Sequence, residues 1–339
     1  MSDLIVESCG ASTTLQDAGR FRYRRYGVST AGAMDLHALA RANALVGNAH
    51  DTAAIEFCLM GGAFRIDGGS ALIAVSGPGC IARIGAREIE PGMSARMEPD
   101  DRLTVGPVRD GVYAYLAITG GFLRARDMES LSVHRRSGIG GLPLVAGDRL
   151  PMADNPDQPL RRLPPETRHT PEPIRIVLGP QNDLFTPRAI ETLTTQEFKI
   201  SAQVDRMGCR LEGPEIEHAD GFNIVSDGIV AGHIQVPGDR QPIVLLRDSQ
   251  TTGGYPKIAT VISADIGRFA QSPPGSAVKF RLVTRDEAVE AAKEMREKID
   301  ALATLARPVE DQSAKDMLFA ANLIGGVANA FDFEPRWLD

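Results

Sequence analysis

One short segment, DSQTTGGYPK at residues 248–257, carries the residue types of a loop that binds a small polar ligand. Two threonine hydroxyl groups stand before a glycine pair, and glycine lets the backbone approach a ligand closely. The segment follows the apolar run PIVLLR, which predicts a strand, and Pro256 fixes its exit. The alternative is a structural turn between two strands, in which the polar groups satisfy the segment's own backbone.

Two other polar segments could contribute to such a site. TTLQDAGR at residues 13–20 places Gln16, Asp17 and Arg20 within five residues. This spacing fits either ligand binding or an internal Asp–Arg pair that holds the loop. DRMG at residues 205–208 leaves the same two interpretations open.

The elements that must position these segments begin with a loop and a helix. Residues 13–35 are too long and too aromatic for a simple turn or a disordered segment, and they predict a structured functional loop. Asp35 then caps a helix that ends at Gly47, and Asn43 is a polar residue on its apolar face. If Asn43 is buried, its amide must find hydrogen-bond partners, so a structural role competes with a binding role.

Short β runs separated by turns fill residues 53–150 and predict a barrel or a sandwich. The segment 151–173 is rich in proline and charge, which predicts an extended linker. Later strands are predicted at 174–178, 197–201, 224–226, 243–247, 258–263 and 277–283. Thr186 caps a short helix between the first two, and the capping box TRDE opens the last helix at Thr284. The apolar tail after Arg307 is expected to dock on the body or on a partner.

Composition and missing motifs exclude several classes of protein. The 339 residues carry a net charge of −7 without a basic run, which argues against nucleic acid as a partner. No apolar stretch approaches the roughly 18 residues that span a bilayer, and the first residues lack a secretion signal, so we expect a cytoplasmic protein without a membrane partner. The cysteines and histidines lack metal-ligand spacing, and no GxxxxGK[ST] phosphate loop is present.

Five segments, in the same order, resemble one known family. They are TTLQDAGR (13–20), YGVSTAGAMD (26–35), ANALVGN (42–48), DRMGCRLEGP (205–214) and DSQTTGGYPK (248–257). On these motifs the chain is similar to the KipA family, also called the second subunit of allophanate hydrolase or the C subunit of 5-oxoprolinase, from about residue 5 to about residue 300. The same unit forms the C-terminal half of the carboxyltransferase domain of urea carboxylase.

The resemblance implies a mainly β fold with a few helices, built as two cyclophilin-like β-barrel domains with a C-terminal helix. We place the first barrel at 1–150, the linker at 151–173, the second barrel at 174–283, and the helix with its docking tail at 284–339. The resemblance also implies two partners, a KipI-like protein (similar to the B subunit of 5-oxoprolinase) and a LamB/YcsF-like subunit. Together such subunits use ATP, with Mg²⁺, to open the lactam of 5-oxoproline to glutamate.

A lactam amide is a poor electrophile, and phosphorylation of its oxygen would activate the carbonyl. A site for that chemistry needs hydrogen-bond donors and a carboxylate for a metal or a proton. On the family's motifs we predict catalytic roles for Asp248, Asp35 and Arg206, and no metal-binding cluster within this chain. The residues predicted to bind substrate are Arg20, Asn43, Gln250, Thr251, Thr252, Gly253 and Gly254.

One stretch departs from the family pattern. The family often carries G-G-x-D-V-P-P-V-L-G-S-R-S-T near the end of the first domain, whereas this chain reads GGFLRARDMESLSV at residues 120–133. Leu123 stands at the Asp position, Glu129 at the Gly before the first Ser, and Leu131 at the Arg between the two Ser. If that arginine binds an anion in relatives, this chain has lost it, and its amide substrate differs or the protein is a divergent paralogue.

Two other functions fit the same resemblance. The chain could be the carboxyltransferase half of a biotin-dependent urea or amide carboxylase. Because it has no A-M-K-M motif, biotin and the biotin carboxylase would then come from other chains. It could also be a non-catalytic, KipA-like regulatory partner of a KipI-like protein, which requires only an interface.

Overall fold

The computed structural model describes residues 2–153, 158–165 and 172–309, and the protein is mainly β, as predicted. The strands up to residue 162 are β1 Asp3–Cys9, β2 Thr14–Gln16, β3 Ala54–Cys58, β4 Gly62–Asp67, β5 Ala71–Ser76, β6 Ala82–Ile84, β7 Arg87–Ile89, β8 Ser94–Met97, β9 Arg102–Val105, β10 Tyr113–Ile118, β11 Arg149–Pro151 and β12 Arg161–Arg162. The later strands are β13 Ile174–Leu178, β14 Glu197–Val204, β15 Gly208–Glu212, β16 Asp227–Gly228, β17 His233–Gln235, β18 Ile243–Leu245, β19 Thr252–Gly253, β20 Lys257–Val261, β21 Ala277–Leu282 and β22 Arg307–Pro308. The helices are α1 Leu36–Leu45, α2 Pro187–Thr195, α3 Ile266–Ala270 and α4 Arg285–Leu305.

The first half forms two sheets around one core. Their strand orders are β11-β1-β4-β9-β6-β7 and β2-β3-β10-β5-β8. The strand spacing in this half left a barrel or a sandwich open, and the resemblance implied a barrel. The strand pairing within residues 2–153 forms two separate sheets, and the short strands β2 and β8 are the edges of the second one. Strand β10 is buried on both faces: Leu116 and Ile118 pack between the sheets, whereas Tyr115 and Ala117 face α1 and the second half.

The second half is a closed barrel of seven strands in the order β13-β20-β17-β18-β15-β14-β21, which confirms this part of the prediction. Strands β13 and β21 close it in parallel, and the other pairs are antiparallel. The predicted strand at 224–226 is wrong. Val225 is 92% exposed, and the amide of Ile224 bonds to the carbonyl of Gly254 outside any strand, because a short apolar run gives no burial by itself.

Helix α1 lies between the two halves. Its side chains share one hydrophobic core with one face of the second sheet and with the barrel interior. Its cap is the predicted one, since the Asp35 carboxylate accepts hydrogen bonds from the amides of His37 and Ala38. Gly47 follows the helix with a φ of +75°, a left-handed conformation that favours glycine. This helix therefore ties the long N-terminal loop to the junction of the two halves.

Helix α4 opens with the predicted capping box, in which Thr284 and Glu287 satisfy each other's backbone amides. Ala291, Ile299 and Leu302 of this helix are buried against the rest of the protein. In the described part of the predicted linker, β12 pairs with β22 just beyond α4. The predicted docking tail, residues 310–339, lies outside the described residues. Among the described helices, none is long and apolar enough to cross a bilayer.

Candidate active site at the junction of the two halves

The loops that the sequence singled out meet where the two halves join. The Ser29 hydroxyl donates to the carbonyl of Arg247 at 3.1 Å, and Arg24 donates to the carbonyl of Gln250 at 3.3 Å. From the end of the first half, His134 donates through Nε2 to the carbonyl of Asp248 at 3.1 Å. Two segments far apart in sequence, the N-terminal loop and the end of the first half, therefore contact residues 247–250.

Arg206 and Asp248, two of the predicted catalytic residues, form a bidentate ion pair. Arg206 donates from Nε and Nη2 to the two carboxylate oxygens of Asp248, at 2.9 and 2.8 Å. The same guanidinium also donates to the carbonyl of Gly32, at 2.7 Å, and to Glu56. Both partners of the pair are almost fully buried, with side-chain exposures of 11% and 4%. A bidentate pair of this kind is geometrically specific, so it fixes the orientation of the Arg206 guanidinium group at the junction.

Glu56, which sequence reasoning missed, completes this junction cluster of Arg206, Asp248 and Glu56. It lies in β3 with no exposed surface, and its second oxygen accepts from the Tyr115 hydroxyl at 2.7 Å and from the Met34 amide at 2.9 Å. One sequence signal pointed to it. A single carboxylate inside the apolar run AAIEFCL must find a partner when the strand is buried.

The pKa values in the junction cluster follow from burial and charge. Burial raises the pKa of Glu56 above its ordinary value, although the charge of Arg206 and two hydrogen bonds oppose this. Burial alone would lower the pKa of Arg206, but the charges of Glu56 and Asp248 raise it well above its ordinary value. Arg206 therefore stays protonated, and the Glu56 carboxyl accepts a proton more readily than an ordinary glutamate does.

The hydrogen bonds of Asp35 give it a structural role at the start of α1. One carboxylate oxygen caps α1, and the other accepts from the Gln271 amide at 3.0 Å. The amide of Asp35 donates to the Tyr115 hydroxyl at 2.9 Å, which in turn donates to Glu56. Asp35 is thus linked to the junction cluster through Tyr115, and its predicted catalytic role stays a prediction.

Arg20 lies beneath the loop that precedes β11 and is 1% exposed. It donates from Nε and Nη2 to the carbonyls of Asp127 and Ser132, and its Nη1 has no hydrogen-bond partner among the described residues. The Asp17–Arg20 ion pair considered from the sequence does not form. Asp17 instead accepts from the hydroxyls of Ser130 and Ser132.

The stretch that departs from the family pattern therefore packs on the N-terminal loop. Its two retained serines hold Asp17, and the amide of Leu131 donates to the same carboxylate at 2.7 Å. Leu131, which stands at the family's arginine position, is buried at 6% exposure. Because a buried leucine stands where the family pattern has an arginine, this position carries no positive charge here.

The loop 250–254 is held mainly by its backbone. Thr252 and Gly253 form β19, which pairs with β16, and the Thr251 carbonyl accepts from the Ile229 amide at 3.0 Å. A Cβ at Gly253 would meet the Nε2 of Gln235 at 2.7 Å, so a larger residue there would force the Gln235 side chain to shift. Hydrogen bonds to described residues leave three side chains of the loop unengaged, those of Gln250, Thr251 and Thr252.

Asn43 lies at the other end of α1 from Asp35 and is fully buried. Its side-chain amide donates to the carbonyl of Thr52 at 2.7 Å, and its oxygen accepts from Asn48 at 3.1 Å. These bonds tie the helix to the loop that follows it. The structure does not bring this predicted substrate-binding residue to the junction, and its contacts match the structural role that the sequence left open.

Two polar residues at the junction have unpaired donors that the sequence did not identify. Arg247 is half-buried and Ser249 has no exposed surface. Neither the Nε of Arg247 nor the hydroxyl of Ser249 has a partner in the described part of the chain. Burial lowers the pKa of Arg247 below its ordinary value, although the charges of Asp35 and Glu56 oppose this. The signal that could have found Arg247 is its position directly before the Asp248 motif.

Metal-ligand groups and thiols were the remaining candidates for chemistry in the described chain. In the described ranges there is no group of three His, Cys, Asp or Glu side chains that could hold a metal ion. Burial raises the pKa of Cys58 to about 11 and that of Cys209 to about 12, so both thiols stay protonated at neutral pH. The side chains that the structure places at the junction carry guanidinium, carboxylate, hydroxyl, imidazole and amide groups.

Comparisons with known proteins identify the family. A family model for the carboxyltransferase domain, subdomain A and B, matches residues 26–282. The C subunit of the 5-oxoprolinase of Escherichia coli (strain K12) is 36% identical over 305 residues, which cover 88% of this chain and 97% of that protein. The C subunit of the 5-oxoprolinase of Haemophilus influenzae is 36% identical over 282 residues, covering 81% of this chain and 89% of that protein.

A solved structure of the K. lactis urea amidolyase has the same fold over most of this chain. The TM-score is 0.83 at 26% identity, and the match covers 91% of this chain and 20% of that much longer one. The chain therefore belongs to the carboxyltransferase-domain family that includes the C subunit of 5-oxoprolinase, as its motifs predicted.

Proposed function

We propose that the chain is the C subunit of a 5-oxoprolinase, which opens the lactam ring of 5-oxoproline to glutamate in an ATP-dependent complex. The observation that carries this proposal is the match to the C subunit of the Escherichia coli 5-oxoprolinase, which extends over 97% of that protein. Nearly the whole length of a relative with that name is represented here, so the proposal does not depend on one shared domain of a larger enzyme.

The reaction is the hydrolysis of a cyclic amide. The lactam C–N bond breaks, water supplies a hydroxyl group to the carbonyl carbon, and the ring nitrogen takes up a proton. ATP, when bound in the complex with Mg²⁺, would supply the phosphoryl group that activates the amide oxygen. Within this chain we assign Arg247, Ser249 and the loop 250–254 to substrate binding, because they keep unengaged polar groups at the junction.

The junction cluster has a different role in this proposal. Asp248 and Arg206 engage each other through two hydrogen bonds, and Glu56 occupies a third position on the guanidinium. We propose that these residues hold the segment 247–250 in place, and that Asp35 contributes by fixing α1 and Tyr115. Removal of one partner would leave a buried charge uncompensated, so the arrangement is rigid.

The proposed partners are a KipI-like protein, similar to the B subunit of 5-oxoprolinase, and a LamB/YcsF-like subunit. The test is co-expression of this chain with both, followed by measurement of glutamate and ADP produced from 5-oxoproline. We expect both products only when all three proteins and ATP are present, and each protein omitted singly serves as a control. A stable three-protein complex that forms neither product would contradict the proposal.

The same complex tests the alternative functions. The similarity to the K. lactis urea amidolyase favours the carboxyltransferase alternative, at lower identity and over a smaller share of the relative. That alternative predicts turnover of urea that depends on bicarbonate and on a biotin-carrying protein. A complex with the KipI-like protein alone, without turnover of either substrate, would favour the regulatory role.

A further inference from the structure

Three buried hydrogen-bond donors around Asp248 have no partner among the described residues. They are the Nη1 of Arg20, the Nε of Arg247 and the hydroxyl of Ser249. Buried polar groups are almost always paired in native proteins, because an unpaired donor in a dry environment is costly. Arg247 and Ser249 flank Asp248 in the chain, so two of the three donors lie in one short segment.

The two arginines in this set also lack a carboxylate partner in the described part of the chain. Asp248 and Glu56 form their ion pairs with Arg206. No described carboxylate lies within ion-pair distance of Arg20 or Arg247. Burial lowers the pKa of both guanidinium groups. The region therefore holds two desolvated guanidinium groups that feel nearby carboxylates but have no direct carboxylate partner among the described residues.

Arg20 and Arg247 lie against the same turn of the N-terminal loop. The amide of Arg20 donates to the carbonyl of Thr30 at 2.8 Å, and the hydroxyl of Ser29 donates to the carbonyl of Arg247 at 3.1 Å. Arg20 is also close enough to Asp248 for the aspartate charge to act on its guanidinium. Arg20 thus lies next to the segment 247–249, of which Arg247 is the first residue.

We propose that this region binds an oxyanion, and that Arg247 and Ser249 are its principal ligands, with Arg20 providing a buried positive charge behind them. Two guanidinium groups offer donors only, so the ligand must accept hydrogen bonds and carry negative charge. A carboxylate and a phosphate share this chemistry. The carboxylate would be the acid group of 5-oxoproline, and this assignment rests on the proposed function. The phosphate would belong to a nucleotide or to its product.

The test is calorimetric titration of the full chain, without partners, with three probes: L-5-oxoproline, inorganic phosphate and 2-pyrrolidinone, which is the lactam without the acid group. We expect saturable binding of L-5-oxoproline or of phosphate, and none of 2-pyrrolidinone. Arg247→Gln should weaken the binding at least tenfold, and Ser249→Ala about threefold. Arg285→Gln, which removes an equal charge at the exposed start of α4, should leave it unchanged.

The probes separate the two sources, since binding of L-5-oxoproline alone indicates the carboxylate and binding of phosphate alone indicates the phosphate. The proposal is overturned if neither anion binds saturably, or if Arg247→Gln and Ser249→Ala bind as the wild type does. Should Arg247→Gln fail to fold, Ser249→Ala decides. Because no turnover is needed, anion binding without glutamate formation would reject the proposed function alone, and turnover without anion binding would reject this inference alone.

Discussion

Two buried charge clusters in this protein differ in how completely they are satisfied. The barrel-end cluster consists of Asp265, Arg175 and Arg268. Arg175 donates to both oxygens of Asp265, at 3.1 and 2.7 Å, and Arg268 donates to the same carboxylate at 2.8 Å. Arg268 also donates to the carbonyls of Glu172 and Pro173. Among the described residues, this cluster has no buried polar atom without a partner.

The members of the junction cluster are also paired with one another, but several polar side chains around this cluster have unpaired donors. Arg20, Arg247 and Ser249 stand beside it with donors that no described residue pairs. Evolution of a stable fold would remove such groups if they served structure alone, since apolar replacements are often neutral or stabilising. The barrel-end cluster is thus satisfied within the fold, and the contrast supports the proposal that the groups at the junction serve a ligand.

The largest effect should come from Asp248→Asn. Arg206 is buried and would keep only Glu56 as a charged partner, so we expect a loss of about 4 kcal/mol in the free energy of unfolding. We also expect turnover by the reconstituted complex, per folded molecule, to fall at least a hundredfold, because the segment 247–250 loses its anchor. Urea denaturation and the glutamate assay measure the two effects, and full activity in the folded variant would contradict the role given to Asp248.

Asp265→Asn is the matched change in the barrel-end cluster. Arg175 and Arg268 are partly exposed, at 30% and 29%, so the expected loss of stability is smaller, about 3 kcal/mol. Turnover per folded molecule should stay within about twofold of the wild type, because the donors of this cluster are already paired within the fold. A large loss of turnover at full folding would remove the distinction between the two clusters.

A pair of arginine substitutions sharpens the comparison. Arg175→Gln breaks a bidentate pair and should cost about 2 kcal/mol, whereas Arg247→Gln breaks no ion pair among the described residues and should change stability by less than about 1 kcal/mol in either direction. Only Arg247→Gln should reduce turnover. Thermal and urea unfolding of both variants provide the measurement, and equal destabilisation would show that Arg247 has a structural partner.

The smallest effect is a pH dependence at the barrel. Burial, together with the charges of Lys257 and Arg24, lowers the pKa of His233 from 6.5 to about 4. Above pH 6.5 the imidazole is neutral in both states and contributes nothing. Between pH 6.5 and 4 the unfolded chain binds a proton that the folded chain does not. Stability should therefore fall by about 1 to 2 kcal/mol, after allowance for the solvent that screens this partly exposed ring. His233→Gln should flatten this part of the stability–pH curve.

Local signals in the sequence predicted the parts of the fold that depend on neighbouring residues. The caps at Asp35, Thr186 and Thr284 were predicted correctly because each cap bonds to amides two or three residues away. The strand at 224–226 was wrong because exposure of a short apolar run depends on what packs against it. The motifs also identified the family, since they keep residue type and order.

The sequence by itself thus determined the mainly β class, the helix caps, the family and the segment that carries the candidate site. Only the tertiary structure decided how the charges there are paired. Glu56 and Arg206 are 150 residues apart, and Asp17 meets Ser132 over 115 residues. Such contacts depend on the relative placement of two sheets, a helix and a barrel, which no local pattern encodes. For the same reason the unpaired donors of Arg20, Arg247 and Ser249 became visible only when the other described residues had been placed.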